Sequence, residues 1–402
     1  WCIRTWGDGG IYDHKLTYQK AEKWTIVENS LGHKTTYYWN DDGLVFKTID
    51  PFGHEQLTQY GDFCQVNAQT DELGSTTFFT YDKAGNQTAI QYPDGSTLMM
   101  AYDENLLLAA TDQNGGKWQW SYNEAGQLIQ RINPLGIATQ YSYQNGLLHA
   151  VTDALNGVTR LTYDVQHNLI ALTTPDGATS RWEYDALGRS TKSTDPKGNA
   201  QNRMFNLLGW VERVVEPDGN VRQLDYDAEG NVVRARDQHH DVRFEYKGMN
   251  RLKARTEAGT RVEFAYNTEE DLTGIVNEHG YAYRFELDAR GDVTTESGFD
   301  GLTRRYLRDA AGRVVEVKRP GGLSTRYEYD PMGRVTAVQH SDGSNESYAY
   351  RPDGELMEAA NQHIAIKFER DPLGRVLREI QGGFVVDSVY DKLGMRTEVR
   401  SS

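Results

Sequence analysis

Along most of this chain, large apolar and polar residues alternate for five or six positions, stop at a turn signal, and start again. In "RWEYD", Arg181–Asp185, Trp182 and Tyr184 fall on one face of an extended strand and Arg181 and Glu183 on the other. The alternation then ends at Asp-x-x-Gly, as in "DALG", "DKAG", "DAEG", "DAAG", "DPMG", "DPLG" and "DKLG". Asp at the first position caps a type I turn, and Gly supplies the positive φ that follows. Where Pro occurs it takes the second position, which its fixed φ suits. A second alternating run follows, such as "RVTAVQH" or "NVVRARD", and then a second turn such as "DPFG", "NPLG", "TPDG" or "DPKG". The pattern predicts β-hairpins with a glycine bulge, joined end to end.

The hairpins share one register. An aromatic slot just before the first turn recurs at Tyr18, Trp39, Tyr60, Tyr81, Tyr102, Tyr122, Tyr143, Tyr163 and Tyr184. It continues through Phe205, Tyr226, Tyr246, Tyr266, Leu287, Arg308, Tyr329, Tyr350, Arg370 and Tyr390. Every step is 20 or 21 residues, giving nineteen copies between residues 18 and 390. Two strands and two turns consume about 20 residues, so one copy is one hairpin. The positions expected to carry the repeat are Tyr81, Asp82 and Gly85; Tyr184, Asp185, Gly188 and Arg189; Tyr226, Asp227 and Gly230; Tyr329, Asp330, Gly333 and Arg334; and Tyr390, Asp391 and Gly394. Copies at Leu287 and Arg308, which lack the aromatic, are expected to be kinks in the array or tolerated drift. So is "DQHHDVRF", which lacks the second-turn Gly.

Nineteen hairpins supply about 38 strands, and open twisted sheets rarely exceed about ten without curling or dividing. A propeller would need more blades than usual and a difference between alternate copies, which the slot does not show. A choline-binding type of solenoid would need aromatics, Trp above all, in every repeat. The eight Trp residues follow no period, and none comes after Trp210. The remaining solution is all-β: a continuous, spiralling antiparallel sheet that forms part of a hollow shell or barrel. Residues 1–402 read as a single repeat array, a fragment of a longer chain.

Composition supports this. Hydrophobic residues make up only 38%, too few for a thick core, yet 24 Tyr argue against disorder. Net charge is −15, which disfavours nucleic acid as a partner. Residues 201–402 hold 24 of the 29 Arg, and cross-strand ion pairs are the expected use. No run of about 18 apolar residues could span a membrane as a helix. Cys2 and Cys64 read as incidental thiols.

No catalytic, metal or cofactor-binding constellation emerges. No phosphate-binding loop opens a helix after a strand. His239 and His240 are adjacent and sit in a second-turn slot, so a solvated turn is expected rather than a metal site. One acid per turn is too few for calcium.

The recurring "YDxxGR", at Tyr184–Arg189 and Tyr329–Arg334 and as "RDPLGR" at Arg370–Arg375, with intervening "DPxG" or "PDG", resembles the YD repeat of bacterial rearrangement-hotspot (Rhs) proteins. The resemblance covers about Tyr18 to Tyr390. Those proteins, the related insecticidal toxin-complex components and the animal teneurins wind such repeats into a hollow shell. The resemblance implies a structural container that encloses its own C-terminal toxin domain, made in the bacterial cytoplasm and then secreted or delivered to a target cell. It further implies a type VI secretion effector, loaded on a spike protein, with an adaptor chaperone, through N-terminal parts. Any toxin or self-cleavage activity would lie outside this segment, which would itself be no enzyme and need no cofactor. An extracellular adhesive or carbohydrate-binding array is the alternative, since Tyr-lined strand faces can stack on sugars.

Overall fold

The computed structural model describes residues Trp1–Ser402. It contains 39 strands and, apart from three single-turn 3-10 segments, no helix. Each strand pairs antiparallel with the next in sequence, from Arg4–Thr5 and His14–Gln19 to Phe384–Tyr390 and Arg396–Ser401. The two-residue strand Arg4–Thr5 precedes the first hairpin, so the count is one above the 38 expected from nineteen hairpins.

The two turns of each copy have nearly the same backbone. In the hairpin turn the Asp185 amide donates to the Arg189 carbonyl and the Gly188 amide to the Asp185 carbonyl, each at 3.0 Å. In the following link the Asp195 amide donates to the Asn199 carbonyl at 2.9 Å, and the Gly198 amide to the Asp195 carbonyl at 3.0 Å. The strands flanking them differ. Across the hairpin the register slips at Tyr184, which faces Ser190 while Glu183 faces Lys192, so Thr191 is an extra residue. The link from Ser190–Thr194 to Ala200–Phe205 has no such slip. The contrast recurs along the chain, as at Tyr81, Tyr226, Tyr329 and Tyr390. A bulge bends the strand that carries it and strengthens its twist. Placed in every hairpin after the first and always near the same end, it curls the sheet steadily in one sense.

The curl brings the sheet back on itself. The link between Val45–Ile49 and Glu55–Tyr60, the fifth and sixth strands, meets the turn between Ala282–Leu287 and Val293–Ser297, the twenty-eighth and twenty-ninth. The link after Gln87–Gln91 meets the turn after Ser324–Tyr329, again twenty-three strands on. At about 4.8 Å per strand, one winding has a circumference of about 110 Å and a diameter of about 35 Å. Only 13 of the 402 residues are buried, so no second sheet packs on either face of this wall. An odd count of strands per winding has a topological effect. Links lie on one rim and hairpin turns on the other, so where the two windings overlap, links of the first stack on hairpin turns of the second.

Candidate functional site: the repeat clamp and the seam

Each copy clamps its neighbours on both sides. Most slot tyrosines reach back and donate to a backbone carbonyl of the preceding strand. Tyr81 donates to Val66 (2.9 Å), Tyr184 to Leu169 (2.8 Å), Tyr226 to Val211 (2.6 Å), Tyr329 to Val314 (2.6 Å) and Tyr390 to Val376 (3.0 Å). Burial raises the Tyr226 and Tyr329 hydroxyls above the usual range, keeping them as donors. The Asp that follows accepts two backbone amides through one oxygen. Asp82 takes Ala84 and Asn86; Asp185 takes Leu187 and Arg189; Asp227 takes Glu229 and Asn231; Asp330 takes Met332 and Arg334; Asp391 takes Leu393 and Met395. Gly85, Gly188, Gly230, Gly333 and Gly394 all sit at positive φ, between 76° and 91°. A side chain there would be strained.

The arginine closing the motif reaches forward. Arg189 Nε donates to the second Asp185 oxygen at 2.7 Å, and its guanidinium lies 4.6 Å from the Phe205 ring of the next copy. Arg334 does the same with Asp330 at 2.6 Å and lies over Tyr350. The Asp185 carboxyl is held below the usual range, chiefly by the Arg189 amide and against its own desolvation. This is the coupling between nearest neighbours that holds a one-dimensional array together.

The copies without a slot aromatic differ among themselves. Arg308 donates through Nη2 to the Val293 carbonyl at 3.1 Å, the atom a slot tyrosine would take, and through Nη1 to Gly312 at 2.7 Å. Arg370 reaches the Leu356 carbonyl at 3.0 Å in the same way. The strand register at both matches that at Tyr329. These arginines are chemical substitutes for Tyr rather than kinks. Arg308→Tyr should therefore leave stability within about 0.5 kcal/mol, and Arg308→Ala should cost about 1 kcal/mol. Thermal unfolding of the two variants side by side checks this. The "HH" turn is tightened by one residue: Asp237 accepts the His239 and His240 amides, and the His240 ring meets Glu257 at 2.7 Å. No group of three or more potential ligands is arranged for a metal.

Between windings the contacts are polar and fall at turn tips. Glu269 reaches the His14 ring at 2.9 Å and the Ser30 amide at 2.7 Å, and also takes the Ser30 hydroxyl. The Tyr12 amide donates to the Thr268 carbonyl at 2.9 Å. Further along, Asp50 accepts Arg290 at 3.3 Å and the His54 ring at 3.0 Å, and Asp94 accepts Arg334 at 3.4 Å. Arg334 thus serves both its own copy and the seam. Burial pushes the Glu269, Asp50 and Asp94 carboxyls up, but the hydrogen bonds outweigh it and leave all three below their ordinary values. These bonds come from Ser30 and His14 at Glu269, from His54 and Phe52 at Asp50, and from Ser96 at Asp94, which Arg334 also faces. A polar cleft of about 390 Å³ runs along this stretch, lined among others by His14, His33, His54, Glu72, Glu269 and Arg290.

The turn that begins the seam, "NTEED", breaks the repeat rule. Glu270 stands where the turn glycine belongs and adopts φ 58°. Its buried carboxylate accepts the Met249 amide at 2.6 Å and pairs with Arg251 at 3.3 Å, which offsets the strain.

A family model described as the teneurin YD-shell matches residues 79–300, more than half of the chain. The chain belongs to the teneurin YD-shell family. A second model, the RHS repeat, matches residues 308–344 of this YD-shell wall. No curated protein matches the sequence significantly. The wall shares its fold with the crystal structure of TcdB2-TccC3-TEV, at TM-score 0.68 and 12% identity over 97% of this chain and 27% of that one. It also resembles TcdB2-TccC3, at TM-score 0.62 and 14% identity over 99% of this chain and 27% of that one. For TcdB2-TccC3-Cdc42 the TM-score is 0.52, at 12% identity over 98% and 26%. The chain spans about a quarter of the length of these structures.

Proposed function

We propose that this YD-shell wall is a structural container, one stretch of a shell that encloses a polypeptide toxin carried C-terminal to the repeats. The observation that carries the reading is the seam: a single-layer sheet is stitched to itself one winding later, which surrounds a space rather than filling it. The family and the shared fold with TcdB2-TccC3 structures support it further. In this reading residues 1–402 are one array, the Tyr, Asp, Gly and Arg positions of the repeat are purely structural, and chemistry belongs to the enclosed domain. Synthesis in the bacterial cytoplasm followed by delivery, by a type VI system with spike protein and adaptor chaperone, is the route we infer. Its support is the likeness of "YDxxGR" to Rhs proteins.

Protease protection of the complete gene product tests the container. The domain outside the repeats should resist digestion while the wall is folded, and be cut at least tenfold faster once the wall is denatured. Equal rates in both states would refute enclosure.

A further inference from the structure

The two faces of the wall differ along its whole length. In each copy the slot residue and the residue two before it share one face, and the residues one and three before it share the other. At the second of the slot-face positions twelve of the nineteen residues are aromatic, among them Phe79, Trp120, Trp182 and Phe264, and only Arg203 is charged. No residue at either slot-face position is exposed in any copy, whereas the residue just before the slot is exposed in every copy except that of Trp39. Size does not explain the contrast. Ser121, Ser142 and Ala349 are exposed on the second face, and Ser388 is buried in the aromatic row of the slot face. From Arg181 on, the second face carries charges of both signs, as where Lys192 meets Glu183 at 2.7 Å. Arg261 reaches Glu245 at 3.0 Å across the intervening strand, and Ala254 on that strand is buried beneath the pair. The bulge adds to this face. Ser190 lies on the slot face opposite Tyr184, and Lys192 on the second face opposite Glu183. Alternation from Ser190 puts the extra residue, Thr191, with Lys192. At the same step Phe46, Leu108, Ile129 and Leu377 are exposed. Each bulged hairpin therefore crowds one more side chain onto the second face.

We propose that the slot face lines the interior of the shell and that the second face is its outer surface. An extra side chain needs room, so the face that carries it goes to the outside of the curve. Inward-pointing side chains of a wall about 35 Å across have about two thirds of the lateral room found at the backbone. That crowding half-buries rings over which no second sheet packs. Turned outward, the same rows would form a larger apolar surface than soluble proteins leave bare. This assignment rests on the container reading and gives it a chemistry. The enclosed polypeptide meets rings whose hydroxyls, as at Tyr184 and Tyr226, are already given to backbone carbonyls. Its contacts with the wall are therefore apolar and non-directional, and the charged face meets solvent.

Single cysteines at neighbouring positions of one strand test the assignment in the complete gene product, with Cys2→Ser and Cys64→Ser as background. Ser193 and Ala110 lie on the slot face, and Thr194 and Ala109 beside them lie on the other. All four are half-buried, so cover by the sheet itself cancels within each pair. The probe is a maleimide carried on a bulky polymer. In the folded protein Thr194→Cys and Ala109→Cys should react at least about tenfold faster than Ser193→Cys and Ala110→Cys, and denaturation should equalise the rates. Faster reaction of Ser193→Cys and Ala110→Cys would overturn the assignment while leaving the container intact. Equal rates on both faces of the folded protein would mean that no space is enclosed, and would overturn the container reading and the assignment together.

Discussion

Asp330→Ala is expected to lower the free energy of opening its turn by about 2–3 kcal/mol. One carboxylate oxygen accepts the Met332 and Arg334 amides, both at 2.9 Å, and the other holds Arg334 Nε at 2.6 Å. Alanine leaves two amides without their acceptor and frees the guanidinium that lies over Tyr350 and reaches Asp94 across the seam. Because the array is held by nearest-neighbour contacts, the loss should appear as local opening before global unfolding. Hydrogen exchange at the Met332, Gly333 and Arg334 amides should quicken by about 30- to 150-fold, while amides near Tyr81 keep their rates. Asp330→Asn should do much less. Asparagine retains the accepting oxygen, and Asn123 already fills the same role for the Ala125 and Gln127 amides. An equal effect of Ala and Asn would show that the pairing with Arg334, not the turn cap, carries the stability.

Strong acid is expected to unstitch the seam while leaving the sheet paired. The three seam carboxylates, Glu269, Asp50 and Asp94, lie below their ordinary values of 4.5, 3.8 and 3.8 in the folded chain. A group whose folded pKa is depressed contributes stability that is full above the unfolded value and is lost as pH falls through the folded one. The window for loss therefore lies below about pH 4, set by the carboxylates. Glu72 and Arg290 share the cleft and add their charges to the same balance. Exchange protection at Ser30 and Tyr12, corrected for the intrinsic pH dependence of exchange, should hold between pH 7 and 5 and collapse below about 4. Glu269→Gln should flatten the step at Ser30. An unchanged step in that variant would place the transition elsewhere.

The wall was largely legible in the sequence because everything that builds it is local. Tyr184, Asp185, Gly188 and Arg189 form their bonds within one turn or with adjacent copies, so a 20- or 21-residue period carries the whole instruction. Arg308 and Arg370 were harder to read, because a guanidinium serving one carbonyl is not visible as an equivalent of a phenol until the geometry is known. The seam was not legible at all. Asp50 and Arg290 lie 240 residues apart, and nothing local to either announces the other. Their meeting depends on how much each bulge bends the sheet, summed over twenty-three strands.

The bulges have one more consequence. Bending is generated inside each hairpin after the first and recurs from copy to copy, so girth is a property of the repeat and not of how many repeats there are. Gain or loss of whole copies removes or adds strands in pairs, which keeps hairpin turns on one rim and links on the other. Such a wall behaves like knitting in the round: more stitches lengthen the tube without widening it. The space it encloses should then grow in simple proportion to chain length, which lets the capacity of the vessel be adjusted by duplicating units and no redesign of any single one.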